Sequence, residues 1–320
     1  MRPVRPGPAA LGPRVRVRAP YRGRSRCRYR ARAASGGSSR AGAARPWRLL
    51  ALLALLAAAA VLLLFLVWPG GDRGTSGAHI LSHLRSLAAS WHLELDTFTA
   101  ATPRGQVTFS SVVATAAPAG ARRLALACHW TPRCAQVCPG VPVSPQAPAV
   151  TLQLLFLDGE EAFGDWSATD SLYGARHLAA RMAARGHPAG SEVTAMSLLV
   201  LLDLLGGPGP AIHSHFAQSH HWFLRLASIE QRLRRLGLLH AAPPQPPFFR
   251  LSPAPGPVED DHVPFLQRGD RPRRAGAARD PTPFPWVWHT PWDTEDNLHP
   301  PTVQDLAKIL VVFVAEFLQL

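Results

Sequence analysis

The stretch LQLLFLDGEEAFGDW, Leu152–Trp166, opens with a nearly unbroken apolar run and then turns abruptly at Asp-Gly. A continuous apolar segment of this length reads as a strand buried on both faces, the kind found in parallel sheets covered by helices. Directly behind it stand Asp158, Glu160, Glu161 and Trp166. Clustered carboxylates repel one another, so acids at the lip of a buried strand call for a metal or a shared proton. The stretch is therefore a strand and a candidate site at once, although a Glu-Glu pair taken alone also suits a solvated turn.

Outward from this strand the pattern alternates. On the N-terminal side, His79–Ser90 has the periodicity of a helix, and WHLELDTFTA, VTFSSVVATAAP and RRLALACHW read as strands. On the C-terminal side, SLYGARHLAARMAAR places Leu172, Ala175, Leu178, Ala179 and Met182 at helical spacing. SLLVLLDLLGG is a second buried strand, ending near Asp203, and HWFLRLASIEQRLRRLGLL and Val303–Leu320 are amphipathic helices. Alternating strands and helices predict an α/β sandwich with a mostly parallel sheet, and ligands of such sheets sit at the strands' carboxyl ends. Asp158, Glu160, Glu161 and Asp203 all fall at or just past such ends.

The 320-residue chain has a formal charge of +13, which is confined to one end. Residues 1–48 hold fourteen arginines and no acid, leaving 20 basic against 21 acidic residues in the remainder, so the folded part is close to neutral and is no nucleic-acid binder. That Arg-, Pro- and Gly-rich tail is expected to be disordered. Leu49–Trp68 then supplies twenty uncharged residues, enough to cross about 30 Å of hydrocarbon. A cleaved signal peptide is the alternative, but the apolar run is long and no A-x-A-like site follows it. The expected plan is an Arg-rich cytosolic tail (1–48), a signal anchor (49–68) with the lipid bilayer as partner, a linker (69–78) and a lumenal domain (79–320) of type II orientation. In an oxidising lumen Cys128, Cys134 and Cys138 could pair, or, less in keeping with usual spacings, hold zinc.

Zinc in a catalytic site takes His nitrogens and carboxylate oxygens and keeps one position open. Glu161 and His289 form a natural pair for it, with the neighbouring Glu160 kept off the metal as general acid/base. In combination and in this order, LFLDGEEAFGDWSATDSLYGARHLA, LLDLLG, VEDDHVPFL and PFPWVWHTPWDTEDNLHPPTV resemble the zinc-dependent glutaminyl cyclases, over about residues 80–128 and most of 149–320. With the basic tail and signal anchor, the likeness is to the Golgi-resident, membrane-anchored members of that family. The resemblance implies a zinc-aminopeptidase-like three-layer fold and one catalytic Zn²⁺ held by Glu161 and His289. It also implies Glu160 as the catalytic acid/base in a network with Asp203 and Asp260, and Trp166, Phe284 and Trp288 as walls of the substrate pocket. The implied reaction is cyclisation of N-terminal glutamine of peptides and proteins to pyroglutamate with loss of ammonia.

Two blocks depart from the family pattern. The family's third zinc ligand is an aspartate between the strand ending ACH and the strand ending DGEE, and this chain has no Asp or Glu from Thr97 to Leu157. PGVPVSPQAPAV stands in place of the expected helix. After VPFLQRG, where the family has an apolar strand, the chain reads DRPRRAGAARDP, which is unsuited to a central strand. These departures keep two further readings open: an aminopeptidase-like hydrolase on the same fold, and a membrane-anchored variant with impaired catalysis. His129 is the residue that could substitute as a ligand.

Overall fold

The computed structural model describes residues 73–87, 91–131, 134–135, 149–269, 275–278 and 284–320. The elements in chain order are α1 (Arg73–Ser86), β1 (His92–Thr102), β2 (Gly105–Thr115), β3 (Arg122–Thr131), β4 (Cys134–Ala135), β5 (Val150–Asp158), α2 (Tyr173–Ala184), β6 (Gly186–His187), β7 (Gly190–Ser191), α3 (Glu192–Ala195), β8 (Met196–Leu202), α4 (His220–Arg235), α5 (His262–Arg268), β9 (Ala275–Ala278) and α6 (Pro300–Phe317). The main sheet runs β1-β2-β5-β3-β8-β9, with β4 paired to β3. β5, β3, β8 and β9 are parallel, while β1 and β2 form an antiparallel hairpin at one edge. The mostly parallel α/β architecture expected from the sequence is thus present.

Period-2 alternation divides the strands between two cores. Leu124, Leu126 and Cys128 of β3, Leu152, Leu154 and Phe156 of β5, and Leu198 and Val200 of β8 face α1, α4 and α6. Ala125 and Ala127, Leu155 and Leu157, and Leu199 and Leu201 face α2 and α5. Buried on both faces, the central strands show almost no polar alternation in sequence, as a helix-covered sheet requires. Residue parity therefore also sets which way each strand-end side chain projects: His129 and Asp203 continue the odd-numbered series toward α2 and α5.

Two buried carboxylates fasten the outer helices by backbone capture. Glu230 of α4 accepts the Phe248 and Phe249 N–H groups at 2.7 and 3.1 Å, and Asp305 of α6 accepts those of His240 and Ala241 at 2.9 and 2.8 Å. Each ties a returning loop to a helix whose own propensity would not position it.

α1 begins at Arg73, inside the stretch read as a linker, and stops at Ser86 rather than Ser90. Its Gly- and Ser-containing start is a weak helix former, and docking of Ile80 and Leu84 on the sheet supplies what propensity lacks. Among the described residues, the basic stretch after α5 contributes the four-residue strand β9, at the sheet's edge beside β8, in keeping with its unfitness for a central position. The tail, the apolar run Leu49–Trp68 and the segment PGVPVSPQA lie outside the described residues; among the described helices none is long and apolar enough to cross a membrane.

Candidate active site

The register of the parallel strands brings the site together. His129 pairs with Leu157 and Trp130 with Asp158, so β3 and β5 end in step and deliver His129 and the Gly159–Glu161 turn to one rim. Ala127 pairs with Leu201, and two residues further on each strand stand His129 and Asp203. The N-terminus of α5 adds Asp260 and Asp261, both fully buried.

The Asp-Gly-Glu-Glu turn is clamped from three sides. Asp158 accepts the Ser110 N–H at 2.8 Å, and its own N–H donates to the Ser111 hydroxyl. Gly159 adopts φ +71°, and a Cβ there would overlap the Phe109 ring, so this position admits only glycine. The Leu172 and Tyr173 N–H groups, at the start of α2, donate at 2.8 Å to the carbonyls of Glu160 and Gly159. Further along the loop, Asp170 accepts the Phe163 and Gly164 N–H groups and the Tyr173 hydroxyl. Leu172, Leu204 and His289 all have positive φ, at 50°, 55° and 56°, and each adjoins the site. Strained backbone held by its surroundings is a common mark of functional loops.

His129 sits in the centre of the acids. Its Nε2 lies 3.5 Å from Asp203 Oδ1, and its Nδ1 lies 3.4 Å from Asp261 Oδ2 and 3.8 Å from Asp260 Oδ1. Burial works against a charged imidazole, but Asp261, Asp203, Glu160 and Asp260 outweigh it and hold His129 well above its ordinary value. Burial pushes the Glu160 carboxyl up to about 9, with Asp261, Asp260 and Glu161 adding to the rise and His129 opposing it. Asp260 is pushed to about 8 by burial and then by Asp203. Asp261 rises too, chiefly through burial. Burial and crowded acids thus hold the Glu160 carboxyl well above its ordinary range, as suits a group that must gain and lose a proton.

Glu161 and His289 meet on the open side of this cluster. His289 Nε2 and Glu161 Oε1 are 3.0 Å apart, and the two side chains are 52% and 46% exposed. Trp288 is stacked between Phe284, with centroids 4.1 Å apart, and His289, at 3.9 Å. Trp166 stands 43% exposed on the loop between β5 and α2. The structure thus gathers Glu160, Asp203 and Asp260 in one buried cluster around His129, and Glu161, His289, Trp288 and Phe284 in one exposed group beside it.

Two sets of donors suit zinc chemically. Glu161 and His289 already lie near the ~3.4 Å edge of a tetrahedral zinc site. His129, Glu160 and Asp260 each offer an atom within 4.8 Å of the others, a looser grouping. The segment in which the family pattern carries its aspartate lies outside the described residues. Asp261, a neighbour of the anticipated Asp260, was not singled out from sequence: in VEDDH nothing but the helix start decides that both aspartates turn inward while Glu259 stays exposed.

A mostly parallel α/β sheet with acids and histidines at its carboxyl rim is the architecture of the zinc-exopeptidase class, and the profile of peptidase family M28 matches residues 133–314. The mouse glutaminyl-peptide cyclotransferase-like protein is 46% identical over 288 residues, covering 80% of this chain and 74% of that one. The crystal structure of Macrostomum lignano glutaminyl cyclase superposes with a TM-score of 0.68 at 30% identity, covering 91% of this chain and 96% of that one. A Zn-dependent exopeptidase from Parabacteroides distasonis shares the fold, at a TM-score of 0.56 and 16% identity, with 81% and 96% of the two chains covered. The chain belongs to the glutaminyl-peptide cyclotransferases of peptidase family M28.

Proposed function

We propose that this chain is a zinc-dependent glutaminyl-peptide cyclotransferase that converts the N-terminal glutamine of peptides and proteins to pyroglutamate. The observation that carries this reading is the buried Glu160, its carboxyl raised by burial and by neighbouring acids, next to the exposed Glu161–His289 pair. Glu161 and His289 would hold one Zn²⁺, which when bound supplies polarisation of the side-chain amide carbonyl and stabilisation of the developing oxyanion. The substrate's α-amine nitrogen attacks the γ-amide carbon, forming the lactam C–N bond. Glu160 accepts a proton from that amine and delivers one to the departing nitrogen, so that ammonia leaves as the old C–N bond breaks. Asp203, Asp260 and Asp261, through His129, set the field in which Glu160 gains and loses its proton. Trp288, backed by Phe284, and Trp166 offer aromatic faces for the glutaminyl side chain.

The Arg-rich tail and the uncharged run Leu49–Trp68 support placement as a single-pass type II protein of the Golgi membrane, with the catalytic domain lumenal and the bilayer as its second partner.

The test is to measure zinc content of the purified full chain together with ammonia release from a Gln-initiated peptide. Bound zinc, with turnover abolished by Glu160→Gln, sustains the reading. Substoichiometric zinc without turnover overturns it and favours a non-catalytic variant, the reading that the missing family aspartate supports. The His129–Glu160–Asp260 grouping supports a second alternative, hydrolysis by an aminopeptidase; free amino acid in the same assay, in place of ammonia, would establish it.

A further inference from the structure

At the end of the sheet opposite His129 and Glu160, a cavity of about 100 Å³ opens between α2 and the starts of β3 and β5. Its lining includes Arg123, Gln153, Glu94, Glu192, Arg185 and Met182. Arg123 is 4% exposed and Gln153 2%. The Arg123 guanidinium spends one nitrogen, Nη2, on Glu192 Oε1 at 3.2 Å, while its Nε and Nη1 have no acceptor. Gln153 donates its Nε2 to the Thr115 hydroxyl at 2.9 Å, and its Oε1 has no donor. The cavity wall therefore carries three unused N–H bonds on a buried cation and one unused amide oxygen. Buried polar groups left in that state cost about 1–3 kcal/mol each, and native proteins seldom leave them so without a ligand or water.

Charge decides between possible occupants. Arg181 and Arg185 are taken up by Glu94 and Asp96, and Arg185 also leans on Glu192, at 3.6 Å. Arg123 shares its one carboxylate, Glu192, with Arg185, so it is the least neutralised of the three arginines and takes a single further charge better than the two of a phosphate. The planar guanidinium favours a carboxylate, and the Gln153 oxygen asks that the same molecule present a hydrogen-bond donor.

We propose that this cavity is a binding site for a small monocarboxylate bearing an adjacent O–H or N–H group, separate from the peptide-binding pocket at the other end of the sheet. A carboxylate oxygen accepts from the unused Nη1 of Arg123, and the donor points to Gln153 Oε1.

The chain has three methionines, and Met182 lines the cavity while Met196 lies opposite Arg123 on the neighbouring strand, so ¹³C-methyl labelling of the full chain gives local reporters. Titration with glycolate should shift the Met182 methyl signal saturably, with a Kd of about 1 mM for a ligand of this size. Acetate, lacking the donor, should bind about tenfold more weakly, and glycolamide and inorganic phosphate should leave the signal in place. Arg123→Lys should abolish the shift, and Gln153→Leu should remove the preference for glycolate over acetate. A Met182 signal unmoved by glycolate in the wild-type chain would mean that water alone fills the cavity, and would overturn the proposal. So would equal binding of acetate, glycolamide and glycolate, a result that needs no variant to fold.

Discussion

At one end of the sheet Glu94, Asp96 and Glu192 face Arg123, Arg181 and Arg185; at the other, Glu160, Asp203, Asp260 and Asp261 face His129. The first set is close to charge-balanced, with planar guanidiniums meeting carboxylates in pairs; Arg185, for instance, contacts both Glu94 oxygens at 2.8 and 2.6 Å. The second set has four acids for one imidazole, and the excess shows as carboxyls pushed above their ordinary range rather than as matched pairs. The same side-chain chemistry thus stabilises the fold in one place and stores reactivity in the other. Where only stability is at stake the acids are matched; where a proton must move they are crowded together and taken out of water.

This contrast can be broken from either end. The largest effect is expected from Glu160→Gln: ammonia release falls by about 10²–10⁴-fold while thermal stability is unchanged or improved, because the amide removes an acid from a crowded, buried cluster. A stability loss in parallel with activity would make Glu160 a structural residue. At the arginine end, Asp96→Ala should do the reverse. It takes the acid from His177 and leaves Arg181 with Glu94 alone, and should cost about 1–3 kcal/mol by chemical denaturation, with turnover per folded molecule retained.

Asp261→Asn sharpens the comparison further, because the sign of its effect differs from that of Asp96→Ala. An acid whose carboxyl is held above its ordinary range in the folded state weakens the fold once pH rises past its unfolded value. The variant should therefore be stabilised by about 1 kcal/mol at pH 8 in chelated protein, with the gain absent near pH 3.5. The smallest effect concerns Glu316 of α6, bridged to Arg225 and Arg232 at 2.6 and 2.7 Å. Partial burial alone would raise this carboxyl, but Arg232 and Arg225 hold it below the usual range. Its contribution is present above the unfolded carboxylate pKa and is lost as pH falls through the folded one. Glu316→Gln should lower stability by about 0.5–1 kcal/mol at pH 7 and by nothing measurable at pH 2, followed by thermal melts at both.

Much of this arrangement was legible in the sequence. The continuous apolar runs of β3, β5 and β8 announce strands buried on both faces, since no other element needs such short unbroken hydrophobicity. Met182 and Leu178 mark the inner stripe of α2 for the same reason. Glu160 and Glu161 raised the question of chemistry as acids behind a buried strand, and their roles and that of His289 became recognisable through the combined motifs that resemble the glutaminyl cyclases. His129 was visible as a possible ligand, yet its four acidic neighbours come from β5, β8 and α5, and only strand register brings them within reach of one ring. The arginine network was not legible at all: Glu94 and Arg185 look like ordinary surface charges on an amphipathic strand and helix, and their pairing spans 91 residues.

What the sequence by itself determined is the set of local facts: which segments are strands, which face of each helix is apolar, and which residue types could do acid/base or metal chemistry. These follow from periodicity and from the intrinsic chemistry of each side chain. Only the tertiary structure decided which acids are matched and which are crowded. Charge state depends on distance and dielectric, and both are set when β3, β5 and β8 align, when α5 turns Asp260 and Asp261 inward, and when α2 lays its arginines across β1.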